Sequence, residues 1–512
     1  KIDEYQIKDV QKLESVAQEV GIETEGRSVK DIAIDLYEEL ERTYVQVEGE
    51  IPFAKRVPEK TLETWRKLGI VPRGSMREIM ELMHRTHMGV DQHYENITKQ
   101  CSRTALSDGW GGSMVATEIS DILFGTPTPV AVDVDMGCLK EDQVNIIVHG
   151  HEPNLFESML VSVTDPVLVE KAKAAGAKGI NLVGMCCTGN ELNMRHGIPL
   201  AGNFMQQELA VITGAVDAMI VDVQCIMPAL GDLCECFHTK FISTSYKAKF
   251  PGAVHMQFSE ENGLSIAKEI VTAAVENFGN RVPDKVFIPE EKTDCMVGFS
   301  AEAIIKALGG TLDPLLDAIK SGAIRGIAGV VGCNNPKIKH DEGHVELVRE
   351  LIKNNVLVVN TGCNAIATAK VGLMLPEAAE EAGDGLKGVC QALGIPPVLH
   401  MGSCVDISRI LVVCAAVANA LGVDISDLPV AGAAPEWMSE KAVSIGSYVV
   451  SSGIFTVLGT VPPVLGSPVV TEVLTQAAND VVGAAFAVET DPVKGAGLMI
   501  AHMDKKRQAL GI

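Results

Sequence analysis

Six short apolar runs in this chain each lead into a cysteine or a histidine, often with glycine beside it. The thiol or imidazole side chains at these positions belong to His151, Cys187, Cys225, Cys333, Cys363 and Cys404. Runs of this length and branching, separated by helical segments, predict buried parallel strands. Because the carboxyl ends of such strands line the ligand crevice of an open α/β sheet, we expect the six side chains to meet at that edge.

A purely structural role is the alternative for each residue taken singly, because free cysteine is among the most buried residue types. Six occurrences at the same structural position favour a shared metal site. Five thiolates and one imidazole are soft ligands that suit iron–sulfur chemistry, alone or with another late transition metal. A structural zinc site would bring four ligands, commonly in close pairs. A four-iron cube also needs only four, so six ligands indicate a larger or heterometallic cluster.

The chain contains 13 cysteines. An odd number in a large chain without an export signal argues against a disulfide framework. Six cysteines outside the six apolar runs mostly lack a strand-end glycine context, and most of them are interpreted as core thiols: Cys101, Cys138, Cys186, Cys295, Cys390 and Cys414. Cys234 and Cys236 are interpreted as residues of an ordinary helix.

Two polar residues outside the strands could serve a redox site. Lys441 lies near an apparent helix start in an apolar segment, where a lysine could donate a proton or stabilise a developing negative charge. The alternative is a surface lysine whose stem covers apolar residues. Asp108 lies in the sequence Asp108-Gly-Trp-Gly-Gly112, which predicts a turn, and is either a turn former or a buried acid.

The texture of the sequence predicts an α/β protein with an N-terminal helical domain followed by two Rossmann-like parallel-sheet domains. The helical domain is predicted over residues 1–126 and ends at the Gly- and Pro-containing stretch 125–129. The first α/β domain, over 127–285, carries the first three candidate ligands. The second, over 286–512, carries the other three.

The charge balance bears on partners and location. The net charge of −23 disfavours a nucleic-acid partner. The most apolar run, Ile410–Val423, is shorter than the roughly 18 residues that a membrane span requires. With no secretory signal at the start, the chain is predicted to be cytoplasmic.

The sequence around these residues resembles that of the nickel-containing, iron–sulfur carbon monoxide dehydrogenases of anaerobes. The resemblance extends over nearly the whole chain. It is carried by the motifs His-Gly-His-Glu-Pro153, Gly-Met-Cys-Cys-Thr-Gly-Asn-Glu191, Asp-Val-Gln-Cys-Ile226, Gly-Cys-Asn-Asn335, Thr-Gly-Cys363, Met-Gly-Ser-Cys-Val-Asp406 and Glu-Lys-Ala-Val-Ser-Ile-Gly446. It implies a nickel–four-iron–four-sulfur cluster and the reversible oxidation of CO with water to CO2, with release of two electrons and two protons.

The resemblance also implies a role for each candidate residue. Cys404 is implied to be the nickel thiolate, and His151 and Cys187 to bind the pendant iron. The remaining irons are implied to be bound by Cys225, Cys333 and Cys363. The second group of implied residues surrounds the substrate: Lys441 as the residue that bonds the bound carboxylate and relays protons, Asp108 as its acidic partner, and Ile445 as the apolar wall beside nickel.

Partners follow from the same resemblance. It implies a homodimer that passes electrons to a ferredoxin-like carrier, and an acetyl-CoA synthase subunit is a candidate partner. Further four-iron clusters are expected in the family, but their ligands are not in this chain. No cysteine precedes Cys101 and the first residue is Lys1, so we expect that an N-terminal cysteine-rich segment was lost or left out. The alternatives are a reductase like the hybrid-cluster proteins and a non-catalytic scaffold subunit of an acetyl-CoA synthase complex.

Overall fold

The chain begins with a helical region, as the sequence predicts. The computed structural model describes residues 7–512. The helices before the first strand are α1 Val10–Glu19, α2 Val29–Val45, α3 Glu59–Leu68, α4 Ser75–Arg85, α5 Tyr94–Ser107 and α6 Met114–Phe124. Ser28 caps the N-terminus of α2, because the Asp31 backbone N–H donates to Ser28 Oγ at 3.1 Å.

A π-helical turn over Asp108–Ser113 joins α5 to α6. The interpretation of this stretch as turn-like, with Asp108 as a turn former, is therefore wrong. Packing overrides the turn propensity of the glycines: Trp110 is fully buried and donates through Nε1 to Ser452 Oγ at 2.9 Å. The Gly109 backbone lies directly against the ring of Tyr448, where a Cβ would come within 2.6 Å of the ring.

The first sheet follows the helical region. Its strands are β1 Val130–Val134, β2 Val144–His149, β3 Ile180–Met185, β4 Leu200–Gly202, β5 Val216–Val221, β6 Lys240–Ser243, β7 Val254–His255 and β8 Thr293–Val297. Their order is β7-β6-β5-β2-β3-β4-β1-β8. Strand β8 runs antiparallel to β1, and the other neighbours pair in parallel. The connecting helices are α7 Pro153–Val163, α8 Pro166–Ala174, α9 Cys186–His196, α10 Gln207–Ile212, α11 Leu230–Glu235 and α12 Gly263–Asn277.

The second sheet is entirely parallel. Its strands are β9 Gly326–Val330, β10 Val356–Thr361, β11 Val398–Gly402, β12 Val430–Ala434, β13 Phe455–Leu458 and β14 Phe486–Val488, in the order β11-β10-β9-β12-β13-β14. The helices of this half are α13 Ala301–Ala307, α14 Asp313–Ser321, α15 Glu342–Lys353, α16 Gly362–Lys370, α17 Asp384–Leu393, α18 Ile407–Leu421, α19 Glu440–Ser451, α20 Pro468–Glu472, α21 Ala478–Val482 and α22 Pro492–Leu510.

The predicted fold class is confirmed, since two largely parallel sheets follow a helical region. Strand β8 lies after the predicted boundary at 285/286 and yet completes the first sheet. The same segment also reaches the second half, because the Phe299 N–H donates to the His400 carbonyl at 2.9 Å. The segment that contains β8 therefore joins the two sheets. The bounds of the three predicted domains stay a prediction.

Helix α18 is the most apolar helix of the second half. Together with the residues before it, Cys404–Leu421 is long and apolar enough to cross a membrane by length and composition alone. However, 61% of this stretch is buried inside the protein. Its residues pack against β11 and the helical region, as in the core helix of a globular domain.

Candidate metal centre

The six candidate ligands all lie at the carboxyl ends of neighbouring strands. In the first sheet, β5, β2 and β3 lie side by side and lead into Cys225, His151 and Cys187. In the second sheet, β11, β10 and β9 lie side by side and lead into Cys404, Cys363 and Cys333. The continuous apolar strands bury both faces of each sheet, so the ligand-bearing edges are the places where polar side chains can meet.

The two edges face each other across one cavity of about 440 Å³. All six candidate ligands line it, together with Lys441 and Ile445. Within residues 7–512, no three His, Cys, Asp or Glu side chains converge tightly enough to hold a single metal ion. This arrangement suits a cluster, in which several metals and bridging sulfides span the distance between ligands.

His151 is held in an orientation that suits a metal ligand. Its ring Nδ1 lies 3.0 Å from the Val223 carbonyl oxygen, and its buried Nε2 has no hydrogen-bond partner in the described structure. Its backbone N–H donates to both oxygens of Asp222, at 2.7 and 2.9 Å. A proton on Nδ1 leaves the lone pair of Nε2 available to a metal, which is the usual second-shell arrangement for a histidine ligand.

The thiols lie so close together that they can all be deprotonated only if a positive charge is nearby. Contact with Cys187 and burial raise the pKa of Cys404 well above its usual value, whereas the thiol contact from Cys404 lowers the pKa of Cys187. One thiol of such a pair must stay protonated unless a cation is present. Metal ions would satisfy several buried thiolates at once, so the residues fit an iron–sulfur cluster with an additional metal.

Cys186 adds a further thiol to the five candidate thiol ligands in this cavity, although its sequence context led us to interpret it as a core residue. Its Sγ lies 3.8 Å from Cys363 Sγ. Its backbone is left-handed, with φ of 58°. That conformation is uncommon for a residue other than glycine and marks Cys186 as part of the site. The sequence does not reveal it, because it is a property of the folded backbone.

Lys441, on the first turn of α19, faces the cavity. Burial would lower the pKa of its ammonium group, but the negative charge shared among the neighbouring sulfur atoms of Cys187, Cys404 and Cys225, together with the Asp108 carboxylate, raises it overall. Lysine is therefore charged at neutral pH in this site. The alternative, a lysine on the protein surface, does not hold because Lys441 lines the cavity.

Asp108 lies behind Lys441 and does not line the cavity. Its carboxylate accepts hydrogen bonds from Ser113 Oγ at 2.9 Å and from Ser444 Oγ at 2.6 Å. Ser444 and Ile445 belong to α19, like Lys441. The π-helical turn thus brings the carboxylate against the helix that presents the lysine.

The remaining cysteines mostly follow the sequence interpretation. Buried positions are confirmed for Cys138, Cys295, Cys390 and Cys414, and Cys414 also contributes to the cavity wall. Cys101 is exposed, so its interpretation as a core thiol is wrong. Sequence reasoning also missed Ser439, whose Oγ lies 3.4 Å from Cys333 Sγ.

The model of the Prismane/CO dehydrogenase family matches residues 1–493. The chain belongs to the Prismane/CO dehydrogenase family. Several curated members of that family are similar over almost its full length. "Carbon monoxide dehydrogenase 1" of Methanosarcina mazei is 65% identical over 508 residues, which cover 99% of this chain and 81% of that protein. "Carbon monoxide dehydrogenase 1" of Carboxydothermus hydrogenoformans is 46% identical, with 99% and 82% covered.

Solved structures of Prismane/CO dehydrogenase family members share the fold. The as-isolated, nickel-free carbon monoxide dehydrogenase from Thermococcus sp. AM4 is 54% identical and superposes with a TM-score of 0.98, covering 100% of this chain and 81% of that one. Carbon monoxide dehydrogenase IV from Carboxydothermus hydrogenoformans is 50% identical, with a TM-score of 0.97 over 99% of this chain and 83% of that one.

Proposed function

We propose that this chain is a carbon monoxide dehydrogenase, an oxidoreductase that catalyses the reversible oxidation of CO with water to CO2. Two electrons pass to a ferredoxin-like acceptor and two protons are released. The observation that carries the proposal is the convergence of five thiols, one imidazole and a charged lysine on a single buried cavity. The names of the relatives, at 65% and 46% identity over nearly the whole chain, support the same reaction.

The cavity would hold a nickel–four-iron–four-sulfur cluster. In the proposed assignment Cys404 binds nickel and the unpartnered Nε2 of His151 binds the pendant iron with Cys187. The other irons take the thiolates of Cys225, Cys333 and Cys363. When bound, such a cluster supplies redox-active metal and a Lewis acid that lowers the pKa of water.

Lys441 would hold and move the proton. Its ammonium group faces the cavity, so it can donate a hydrogen bond to a carboxylate that forms there and stabilise the negative charge. Asp108 would help to hold the ammonium group in place, since its carboxylate is one of the charges facing that group. Ile445, which is buried, covers one wall of the cavity with an apolar side chain and helps to exclude water.

An adjoining cavity supports a small, uncharged substrate. It measures about 260 Å³, lies between the second sheet and α18, and is lined almost entirely by apolar side chains. Four residues line both cavities, namely Ile327, Ile410, Cys414 and Val430. An apolar space in contact with the metal cavity suits a molecule such as CO better than a charged or strongly hydrated one.

The finer partners belong to the same proposal. We infer a homodimer in the cytoplasm. An acetyl-CoA synthase subunit remains a candidate partner, since the "Carbon monoxide dehydrogenase/acetyl-CoA synthase subunit beta" of Moorella thermoacetica is 43% identical over 531 residues. A hybrid-cluster reductase and a non-catalytic scaffold are less well supported, because the similar curated proteins carry the name carbon monoxide dehydrogenase.

The test is metal analysis combined with an activity assay. Anaerobically purified chain is expected to contain nickel and iron and to reduce a viologen dye with CO. Iron without nickel, together with no CO oxidation, would contradict the proposal and favour the hybrid-cluster reading. A metal-free chain that binds a partner tightly would favour the scaffold.

A further inference from the structure

One hydrogen bond crosses between the two α/β halves directly beside the candidate nickel ligand. Ser403 Oγ, in the loop after β11, donates to Glu191 Oε1 on α9 at 2.6 Å. Both side chains are buried, with 2% of Ser403 and 9% of Glu191 exposed. A hydrogen bond in such a site has no competing water, so it holds its two ends in a defined relation.

The two ends of this bond each lead to a candidate ligand. Glu191 follows Cys187 by four residues on the same helix, so the two lie one turn apart. Ser403 immediately precedes Cys404. The path from one thiol to the other therefore runs through one helical turn, one hydrogen bond and one peptide unit, all of them stiff.

Further bonds fix the loop around Ser403. Asp406 accepts from the Ser403 N–H at 2.9 Å, and Arg409 Nε donates to the same carboxylate at 3.0 Å. Arg409 also makes a two-pronged contact with Asp121 of α6, at 2.7 Å for each pair. The left-handed backbone at Gly402 leaves room for this carboxylate, since a Cβ there would lie 2.3 Å from Asp406 Oδ2.

The helix end of the bond is anchored as well. Arg195, on α9, contacts Glu191 and donates to Asp121 at 2.8 Å. The same helix reaches the start of α16, which carries Cys363, because Asn190 Nδ2 donates to the Gly362 carbonyl at 3.1 Å. Helix α9 therefore carries one ligand and bonds to the loops of two others.

We propose that Ser403 and Glu191 are positioning residues that set the separation of the Cys187 and Cys404 thiols across the two halves. The inference rests on the proposed function, in which these thiols bind the pendant iron and nickel. Neither residue is assigned to bind metal. The bond between them fixes where the nickel thiolate lies relative to the first half, and thereby favours nickel binding once the irons are in place.

The decisive variant is Ser403→Ala, which removes little volume and the hydroxyl group that bonds Glu191 at 2.6 Å and lies 3.1 Å from Asp406 Oδ2. Loss of a group that orients a metal ligand typically weakens metal binding by about 10- to 100-fold. We therefore expect about tenfold weaker nickel binding in a titration of nickel-depleted protein, with iron content unchanged. In metal-free protein we expect Cys404 to be alkylated faster by iodoacetamide relative to Cys363, as measured by peptide mass spectrometry.

The matched control is Ser300→Ala. Ser300 is also buried, caps α13 and donates across the fold to the Pro127 carbonyl at 2.9 Å, far along the chain from the ligands. It is expected to keep wild-type nickel binding and the wild-type alkylation ratio. Equal behaviour of Ser403→Ala and the control would overturn the proposal.

Glu191 offers a conservative rescue. Burial, followed by the neighbouring Asp406, raises the pKa of Glu191 to about 8, so its carboxyl group is mostly protonated at neutral pH. Glutamine resembles that neutral form. Glu191→Gln is expected to bind nickel like the wild type and Glu191→Ala like Ser403→Ala; the reverse order would overturn the proposal.

The outcome is separable from the proposed function. If the wild type binds no nickel and does not oxidise CO, the proposed function is wrong. The alkylation ratio in metal-free protein would still show whether Ser403 and Glu191 place the Cys404 thiol. If the wild type is active and Ser403→Ala is unchanged in both measurements, only the positioning inference fails.

Discussion

The edges of the two sheets reach the same cavity by different backbone solutions. At the second edge, glycine precedes the ligands in left-handed conformation, with φ of 112° at Gly332, 65° at Gly362 and 127° at Gly402. At the first edge, Gly150 before His151 follows the same pattern, with φ of 138°, but the turns that carry the cysteines contain left-handed residues with side chains, at Cys186, Gln224 and Cys225 with φ between 58° and 59°. A left-handed residue other than glycine costs roughly 1–2 kcal/mol.

The difference shows where side chains are required. At the second edge the missing Cβ atoms make room for neighbours, including the Cys404 thiol. At the first edge the chain tolerates strain at cysteine residues whose thiols face the cavity. Strain that persists at such positions is typical of functional sites, because the surrounding packing must hold it.

The largest effect is expected where the two edges share one group. Lys441 faces Cys187 and Cys225 of the first edge and Cys404 of the second. Lys441→Ala should lower kcat for CO oxidation by about 10²- to 10⁴-fold, the usual contribution of a positioned proton donor, while nickel and iron contents stay the same. Lys339→Ala removes a lysine whose side chain is 78% exposed and serves as the control. Unchanged kcat at full metal loading would exclude Lys441 from proton transfer.

A glycine substitution tests the spacing at the second edge. In Gly362→Ala, the new Cβ would lie 2.6 Å from Cys404 Sγ in a left-handed backbone. We expect nickel affinity to fall by about 10- to 100-fold and the free energy of unfolding to fall by roughly 1–2 kcal/mol. Gly388→Ala, on α17 with no atom within 4 Å of the new Cβ, is the control: it should leave nickel affinity unchanged and raise the free energy of unfolding by about 0.5–1 kcal/mol. Wild-type nickel titration of Gly362→Ala would show that this spacing is not required.

The stability of the contact between β11 of the second half and α9 of the first half should depend on pH. Burial lowers the pKa of His400 on β11 to about 4, and its Nε2 lies 3.0 Å from Asn190 Oδ1 on α9. The unfolded chain binds a proton near pH 6.5 and the folded chain does not, so stability is lost as pH falls from about 6.5 to 4. The loss is at most about 3 kcal/mol.

The thermal midpoint of metal-free protein at pH 7 and pH 5 measures this effect. His400→Gln should show a smaller drop between the two pH values than the wild type. His87→Gln changes an exposed histidine and should behave like the wild type. An equal drop in all three proteins would assign the acid sensitivity to other groups.

The smallest effect concerns the strain at the first edge. Cys186→Gly relieves roughly 1–2 kcal/mol of left-handed strain, offset by about 0.4–1 kcal/mol of added freedom in the unfolded chain. Both Cys186→Gly and Cys390→Gly lose a buried thiol, so metal-free Cys186→Gly should unfold at a higher temperature than Cys390→Gly because only it is relieved of strain. Cys390→Gly, at a buried helical cysteine without a left-handed backbone, should unfold at a lower temperature. A lower midpoint for Cys186→Gly than for Cys390→Gly would show that its thiol contacts outweigh the strain.

Much of this site can be predicted from the sequence because a few neighbouring residues determine where each strand ends. An apolar run followed by Cys363 or His151 predicts both the strand and the residue at which it ends. Parallel strands then bring these ends to the same edge of the sheet. The π-helical turn at Asp108 is not local, because its glycines read as a turn until the ring of Tyr448 packs on them. Cys186 was missed for the same reason, since its left-handed backbone depends on the helix that begins there.

The charged residues behind Cys404 were also beyond sequence reasoning. Asp121, Glu191 and Arg409 come from three helices far apart in the chain, and periodicity describes burial rather than pairing. Each reads alone as a surface residue of its helix. Only the fold shows that the three residues meet in the interior, where Arg409 pairs with Asp121.

The late strand β8 has a consequence for how the molecule is made. Its residues leave the ribosome after the three ligands of the first half, and Cys404 follows about one hundred residues later. Until β8 is made, the outer edge of β1 is unpaired, and until Cys404 is made, the early thiols lack their partners. The growing chain is therefore exposed to aggregation and oxidation. Assembly of the metal centre must therefore wait until most of the polypeptide has been synthesised, and the cell must keep the waiting thiols reduced.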